Sequence, residues 1–144
     1  MTPVFSDQEY RRLMMLAYLG EWMINAVCKD PDPAYEDTVS KVLAFAEGTP
    51  LQDLILFDDN GGNWVPTEAF ETEAHVMIDQ YDDKTFWEEL TARLTERDLV
   101  DRHGERAVHA MRPDQRTRTA SSIAKAYTKE FEEHGLERIG VADE

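Results

Sequence analysis

The apolar run from Leu13 to Cys28 constrains the fold more than any other part of this 144-residue chain. The run is sixteen residues long and is interrupted at three positions, Gly20, Glu21 and Asn25. Because about 20 predominantly apolar residues are needed to cross a bilayer, the run is too short for a membrane helix. A helix that is apolar on most of its sides is normally buried. We therefore expect a central core helix.

Local signals bound this helix at both ends. Ser6 and Glu9 have the spacing of a capping box, in which each side chain satisfies a free backbone donor of the first turn. Pro31 and Pro33 lack a backbone donor and oppose continuation of the helix. Asp32 then fits the N-cap of a second helix, with Pro33 at its first helical position.

A hairpin signal follows the second helix. The segment Asp58-Asp59-Asn60-Gly61-Gly62-Asn63 stands between two short apolar runs, and Asn-Gly in that setting favours a tight turn. The flanking runs are short, so we expect at most a two-stranded ribbon packed on helices. The turn does not have the spacing of a calcium loop, because Ala69 stands where a bidentate glutamate belongs.

Further helices are predicted beyond the hairpin. Their starts are expected at residues that can cap a helix or open its first turn, namely Thr67, Asp82-Asp83 and Pro113. Glycines are expected to end the last two, at Gly104 and Gly135. The segment 105–111 between them is predicted to be a short helix.

These signals predict an all-α fold, an irregular bundle of five to six helices around a buried N-terminal helix, with at most one short β-hairpin near 54–65. A 42% hydrophobic content and fourteen aromatic residues are enough to bury a core at this length. Residues 1–144 are therefore expected to form a single helical domain with a flexible C-terminal tail over about 136–144. The lone Cys28 excludes an intrachain disulfide, and no secretory pattern precedes the first helix, so a cytoplasmic location is expected.

Acidic residues are concentrated in one stretch of the chain. Between Asp30 and Glu89 there are sixteen acidic residues against Lys41 and Lys84, so the stretch carries −14 of the total charge of −15. Such a surface repels nucleic acid phosphates and anionic membranes, and it attracts cations or a basic protein face. Adaptation to a salty cytoplasm would produce the same acidity without any partner, so both explanations stay open.

A metal site is one candidate within this stretch. Glu71, His75 and Asp79 recur every four residues and so share one face of the predicted third helix, with Asp82 or Asp83 nearby. An imidazole and carboxylates in a column can bind a divalent cation such as Zn²⁺ or Mn²⁺. On a helical wheel, however, this column points away from the apolar stripe, so a solvated acidic face is the simpler interpretation.

Glu21 is the second candidate, because it lies inside the apolar run. Arg11, Tyr18, Glu21 and Asn25 follow one narrow polar stripe of the first helix. A carboxyl group buried in such a setting is either paired or a candidate general acid or base. The structural alternative is a hydrogen bond or salt bridge to a neighbouring helix, such as one to an arginine of the fourth or last helix. Gly20 beside it favours close approach of another helix or a ligand.

Basic residues gather later in the chain, at Arg102, His103, Arg106, His109, Arg112, Arg116 and Arg118. Residues 90–128 carry a net charge of only +3, which is too little for the basic footprint of a nucleic acid binding protein. We expect these arginines to pair with the acidic region 58–89 of the same fold or of a second copy. A phosphate-contacting site at residues 112–118 is a weaker alternative.

The sequence shows no nucleophile elbow, P-loop or dinucleotide-binding loop. We therefore expect a non-catalytic cytosolic helical protein that acts through protein–protein interaction of its acidic surface. Its partner would be another protein or a second copy, and neither nucleic acid nor a membrane. A homodimer would use aromatic residues such as Tyr35, Trp64 or Trp87. The alternative is a divalent-metal-binding protein or metal-dependent hydrolase that uses Glu71, His75 and Asp79.

Overall fold

The computed structural model describes residues 4–140 and shows an all-α fold with one β-hairpin. The five α-helices in that range are α1 (Asp7–Asn25), α2 (Pro33–Ala44), α3 (Glu68–His103), α4 (Glu105–Ala110) and α5 (Pro113–His134). One turn of 3₁₀ helix, Gln52–Leu54, precedes the strands β1 (Ile55–Asp58) and β2 (Asn63–Pro66). The predicted fold class is confirmed.

The caps predicted for the first two helices are present. The backbone N–H of Ser6 donates to Glu9 Oε2 at 2.8 Å, and the N–H of Glu9 donates to Ser6 Oγ at 3.4 Å. Asp32 Oδ1 accepts a hydrogen bond from the N–H of Ala34 at 3.0 Å, with Pro33 at the first helical position of α2. These contacts satisfy backbone donors that have no partner inside the helix.

The hairpin is antiparallel, and Phe57 stands opposite Trp64. Their rings meet edge to face, with centroids 5.3 Å apart. The carboxylate of Asp58 closes the turn by accepting from the N–H groups of Asn60 and Gly61 at 3.0 and 3.1 Å. Gly62 has a φ of +70°, which a residue with a Cβ rarely adopts. The turn sequence therefore accounts for the hairpin.

The predicted break at Asp82-Asp83 is wrong, because α3 runs without interruption for 36 residues. No glycine or proline stands between Glu68 and His103. Aspartate lowers helix propensity by less than about 0.7 kcal/mol and keeps its backbone donor, so two aspartates do not stop a helix. Thr67 does precede α3, but its buried hydroxyl has no hydrogen-bond partner within the described residues and so does not cap the helix.

The chain divides into two compact units, the first ending at Gln80 and the second beginning at Tyr81. The amino-terminal unit has its own hydrophobic core, formed by α1, α2, the hairpin and the start of α3. Met14, Leu43, Ala46 and Ala74 are completely buried there. The single domain predicted from chain length stays a prediction.

The expected burial of α1 is found on one side only. Met14 and Met15 face the core, and the hydroxyl of Tyr10 donates to the carbonyl of Val42 in α2. On the opposite side Leu16 is 67% exposed and Met23 is 59% exposed. The helix therefore lies at the edge of its unit, because the elements that pack on it cover a single face.

The carboxyl-terminal unit has a separate small core. Leu99 of α3, Val108 of α4 and Ile123 of α5 are buried together. Gly104, with a φ of +77°, separates α3 from α4, as predicted. Gly135, with a φ of +55°, ends α5. Leu136 and Ile139 after it are about half exposed, and the rest of the predicted tail, 141–144, lies outside the described residues.

Along residues 4–140, no helix combines the length and the apolar character needed to cross a bilayer.

Candidate functional site

A cleft in the amino-terminal unit brings together two residues that the sequence placed in different candidate sites. Glu21 of α1 and Glu71 of α3 both line it, and Glu36 of α2 adds a third carboxylate. Trp64 of β2 forms part of its wall. The cleft has a volume of about 260 Å³. Four elements of one unit thus converge on a single concave site.

Tyr18 lies between the carboxylates of this cleft. Its hydroxyl donates to Glu71 Oε1 at 3.5 Å, a long and weak hydrogen bond. Burial raises the pKa of Tyr18, and the negative charges of Glu71 and Glu21 raise it further. The phenol therefore stays protonated and can act as a donor. Both carboxylates are close enough to Tyr18 for their charges to act on it.

Apolar residues form part of the lining of the cleft, and its aromatic side is held in place. Val39 and Pro66 line it as half-buried residues, together with Leu43, which is fully buried. The backbone N–H of Trp64 donates to Ser40 Oγ at 2.9 Å, which joins β2 to α2. The cleft therefore combines apolar, acidic and aromatic residues.

Glu21 is half-buried, so the deep burial expected of it is not observed. Its partner is also different from the expected arginine of a later helix, because Asn25 Nδ2 of the same helix donates to Glu21 Oε1 at 2.8 Å. The same amide nitrogen donates to the carbonyl of Asp32 at 3.3 Å. The polar stripe of α1 therefore joins α1 to the start of α2. A catalytic role for Glu21 stays a prediction.

The proposed metal column is split between two environments. Glu71 is half-buried in the cleft, whereas His75 and Asp79 are exposed. Within residues 4–140, no three His, Cys, Asp or Glu side chains are arranged to hold a metal ion. Metal binding by Glu71, His75 and Asp79 stays a prediction.

The polar stripe of α1 makes one further contact with α3. The guanidinium of Arg11 pairs with the carboxylate of Glu73, and one of its two hydrogen bonds, from Nη1 to Oε1, measures 3.1 Å. This pairing lowers the pKa of Glu73, because the hydrogen bonds and the positive charge favour its ionised form. Glu73 is therefore engaged in an ion pair that joins α3 to α1.

The basic cluster forms its ion pairs within its own part of the chain, where the described partners are other acidic residues than those of region 58–89. Pairing with the acidic region of a second copy stays a prediction. Arg116 of α5 donates to both carboxylate oxygens of Glu96 of α3 at 2.8 Å. Arg118 pairs with Asp114 at 2.6 Å, one turn away on the same helix. Helical spacing supplies the partner of Arg118, and the packing of α5 on α3 supplies that of Arg116.

A second polar network joins α3 and α5. Asp98 accepts hydrogen bonds from Tyr127 Oη at 2.6 Å and from Arg97 Nη2 at 2.8 Å. The hydrogen bond from Tyr127, followed by that from Arg97, lowers the pKa of Asp98. Burial, and then the hydrogen bond to Asp98, raise the pKa of Tyr127. This network fixes the two helices of the carboxyl-terminal unit to each other.

The aromatic residues expected at a dimer interface differ in their exposure to solvent. Tyr35 is 43% exposed, whereas Trp64 and Trp87 are half-buried. Trp87 packs against Phe131 with ring centroids 5.3 Å apart, in an apolar groove of about 470 Å³ between α3 and α5. Two of the three aromatics therefore contribute mainly to packing within their own unit.

The acidic stretch itself stays at the surface. Thirteen of the sixteen acidic residues between Asp30 and Glu89 are exposed, and the other three are half-buried. Within the described residues, three of the sixteen form an ion pair with a basic side chain, namely Glu73, Glu88 and Glu89. Most of these carboxylates therefore have no ion-pair partner among residues 4–140.

Comparisons of this chain with known protein families, with curated proteins and with solved structures gave no match. The function has to be inferred from the residues themselves. Sequence reasoning identified Glu21 and Glu71 but missed the cleft, because the convergence of α1, α2, α3 and β2 is a tertiary property. The stripe of Tyr18, Glu21 and Asn25 was the sequence signal closest to it.

Proposed function

We propose that this protein is a non-catalytic interaction module that binds a basic partner protein through the acidic surface formed by residues 30–89. The observation that carries the proposal is the exposure of thirteen carboxylates in this stretch, most of them without a basic partner among the described residues. A partner can use them without first breaking an internal ion pair.

Charge complementarity would act chiefly on encounter and selectivity. Opposite charges steer a partner toward the surface and raise its association rate, while like charges discourage wrong partners. Two copies of this surface repel each other, so the acidic face favours a basic partner over self-association through the same face. A homodimer that uses another surface stays a prediction, which sedimentation of the purified protein would test.

Two variants with equal changes in net charge separate this function from general acidity. The first carries Asp30→Asn, Asp37→Asn, Glu47→Gln and Asp53→Asn, all at exposed positions of the acidic surface. The matched control carries Glu130→Gln, Glu132→Gln, Glu133→Gln and Glu137→Gln in the carboxyl-terminal unit. Each set removes four negative charges. Immobilised wild-type protein and both variants are exposed to lysate of the source cell, and bound proteins are eluted with increasing salt.

We expect basic proteins that elute at moderate salt from the wild-type protein and the control, and loss of those proteins from the first variant. Such contacts are salt-sensitive because exposed charges are screened over about 8–10 Å near physiological ionic strength. Equal loss from both variants would mean that overall charge alone causes retention. Retention that is indifferent to salt would also contradict the proposal.

A further inference from the structure

The cleft of the amino-terminal unit has the chemistry of a receptor for one long basic side chain. We infer that the cleft lined by Tyr18, Glu21, Glu36, Trp64 and Glu71 receives a single lysine or arginine side chain of the basic partner. This inference rests on the proposed function and names the group that the partner inserts.

Three independent features of the cleft fit such a side chain. Val39 and Pro66 are half-buried and give the cleft apolar surface, against which the methylene stem of lysine or arginine can lie. Trp64 and Tyr18 present aromatic rings, which attract an ammonium or guanidinium group within about 6 Å of the ring centre. The carboxylates stand at the same cleft and accept hydrogen bonds from the charged end.

The size of the cleft points to a side chain and not to a larger molecule. Pockets for drug-sized ligands and cofactors usually measure about 300–1,000 Å³. At about 260 Å³ the cleft is smaller than this range. It is, however, more sharply defined than a flat acidic patch, because residues of α1, α2, α3 and β2 surround it.

The electrostatics of the cleft also favour a cation. Among residues 4–140, no lysine, arginine or histidine lines it, although Glu21, Glu36 and Glu71 do. Burial is the main cause of the raised pKa of Tyr18, and the charges of Glu71 and Glu21 raise it further, so negative charge acts at the position of the phenol. Arg11, the basic residue of the α1 stripe, forms an ion pair with Glu73. An incoming cation would relieve repulsion among the three carboxylates.

A titration followed at the indole of Trp64 tests the inference directly. The probe is Nα-acetyl-lysine methylamide, compared with its arginine counterpart and with the uncharged norleucine counterpart, which has a similar apolar stem. The ¹H–¹⁵N signal of the Trp64 indole is assigned with Trp64→Phe. Binding curves are recorded for the wild-type protein, for Glu21→Gln and Glu71→Gln, and for Glu68→Gln, an exposed position outside the cleft on the same helix as Glu71.

We expect a saturable shift of the Trp64 signal with the lysine or arginine probe and none with norleucine. Glu21→Gln and Glu71→Gln should each weaken binding about tenfold, as the loss of one charge-assisted hydrogen bond predicts, while Glu68→Gln should not change it. No saturable shift, an equal shift with norleucine, or equal affinity in all four proteins would overturn the inference. Circular dichroism confirms that each variant is folded.

Two further titrations distinguish binding of a protein side chain from binding of other cations. Tighter binding of free putrescine than of the lysine probe would assign the cleft to a small polyamine and overturn the inference. Displacement of the lysine probe by Mg²⁺, added at the same concentration of positive charge, would mean that the cleft binds any cation. That result would also overturn the inference. The probe titration does not involve the partner protein, so the two ideas can fail separately. The cleft can bind no probe while the acidic surface still retains basic proteins, or the cleft can bind the probe while the surface retains none.

Discussion

At the scale of single residues, Asp98 shows how the fold stabilises one charged form. Tyr127 and Arg97 both donate to its carboxylate, and their hydrogen bonds lower its pKa. An acid whose pKa is lower in the folded state than in the unfolded state stabilises the fold above the unfolded pKa, which is about 3.9 for aspartate. This stabilisation is lost as the pH falls through the folded pKa.

Asp98→Asn should therefore lower the melting temperature at pH 7 and have a smaller effect at the acid end of the range. The amide can still accept a hydrogen bond from Tyr127, but it lacks the negative charge that strengthens the bond. Thermal melting followed by circular dichroism between pH 7 and pH 3 measures the difference. Asp101→Asn, at an exposed position of the same helix, is the control and should follow the wild-type profile. A constant difference between Asp98→Asn and wild type at every pH would contradict the assignment.

At the scale of secondary structure elements, α3 differs most from its prediction. The sequence suggested that a helix ends near Tyr81 and another begins at Asp82-Asp83, whereas the structure has one helix from Glu68 to His103. Proline distinguishes the two arrangements. It is tolerated at the first position of a helix, but in a helix interior it removes a hydrogen bond and costs about 3 kcal/mol.

Lys84→Pro should therefore destabilise the protein by about 3 kcal/mol, because residue 84 lies in the interior of α3. If a new helix began at Asp82-Asp83, the same substitution would fall in its first turn and cost little. Glu105→Pro is the matched control, since Glu105 is the first residue of α4 and should accept proline. Urea unfolding of both variants measures the loss in free energy of unfolding relative to the wild-type protein. A near-neutral Lys84→Pro would restore the two-helix interpretation.

The elements that were predicted correctly share a local cause. The capping box of Ser6 and Glu9, the N-cap Asp32 and the turn at Asp58 each involve residues within three positions of one another, so the sequence contains the whole interaction. Gly104 and Gly135 end helices through their own backbone conformation. In each case the local sequence is sufficient to predict the cap, the turn or the helix end.

Apart from the break expected at Asp82-Asp83, which overrated a local signal, the failures share a tertiary cause. Leu16 and Met23 are apolar, but their exposure depends on how many elements pack around α1. The pairing of Arg116 with Glu96 depends on which faces of α3 and α5 meet. The cleft needs four elements to converge, so Glu21 and Glu71 could be proposed separately but not joined. Neither propensity nor charge pattern contains that information.

At the scale of the whole molecule, charge is distributed unequally between the two units. Residues 1–80 carry −11 and residues 81–144 carry −4. Within the described residues, Arg11–Glu73 is the one ion pair of the amino-terminal unit, whereas the other eleven lie in the carboxyl-terminal unit. Salt weakens both repulsion and ion pairing, so the two units should respond differently.

The amino-terminal unit should gain stability as NaCl rises from about 0.05 to 1 M, because screening to a Debye length of about 3 Å removes its self-repulsion. The carboxyl-terminal unit should change little, since exposed ion pairs contribute only about 0–1 kcal/mol each and its net charge is small. Single-tryptophan proteins separate the two responses. Trp22→Phe with Trp87→Phe leaves Trp64 as the reporter of the first unit, and Trp22→Phe with Trp64→Phe leaves Trp87 as the reporter of the second.

Melting of these two proteins, followed by tryptophan fluorescence, also tests the prediction of a single domain. If the chain unfolds as one cooperative domain, both reporters must show the same transition at every salt concentration. If the units unfold separately, the Trp64 transition should move upward with salt while the Trp87 transition stays nearly fixed. A downward shift of the Trp64 transition would mean that ion pairing outweighs repulsion in the acidic unit. The uncompensated carboxylates would then not strain the fold in the absence of a partner.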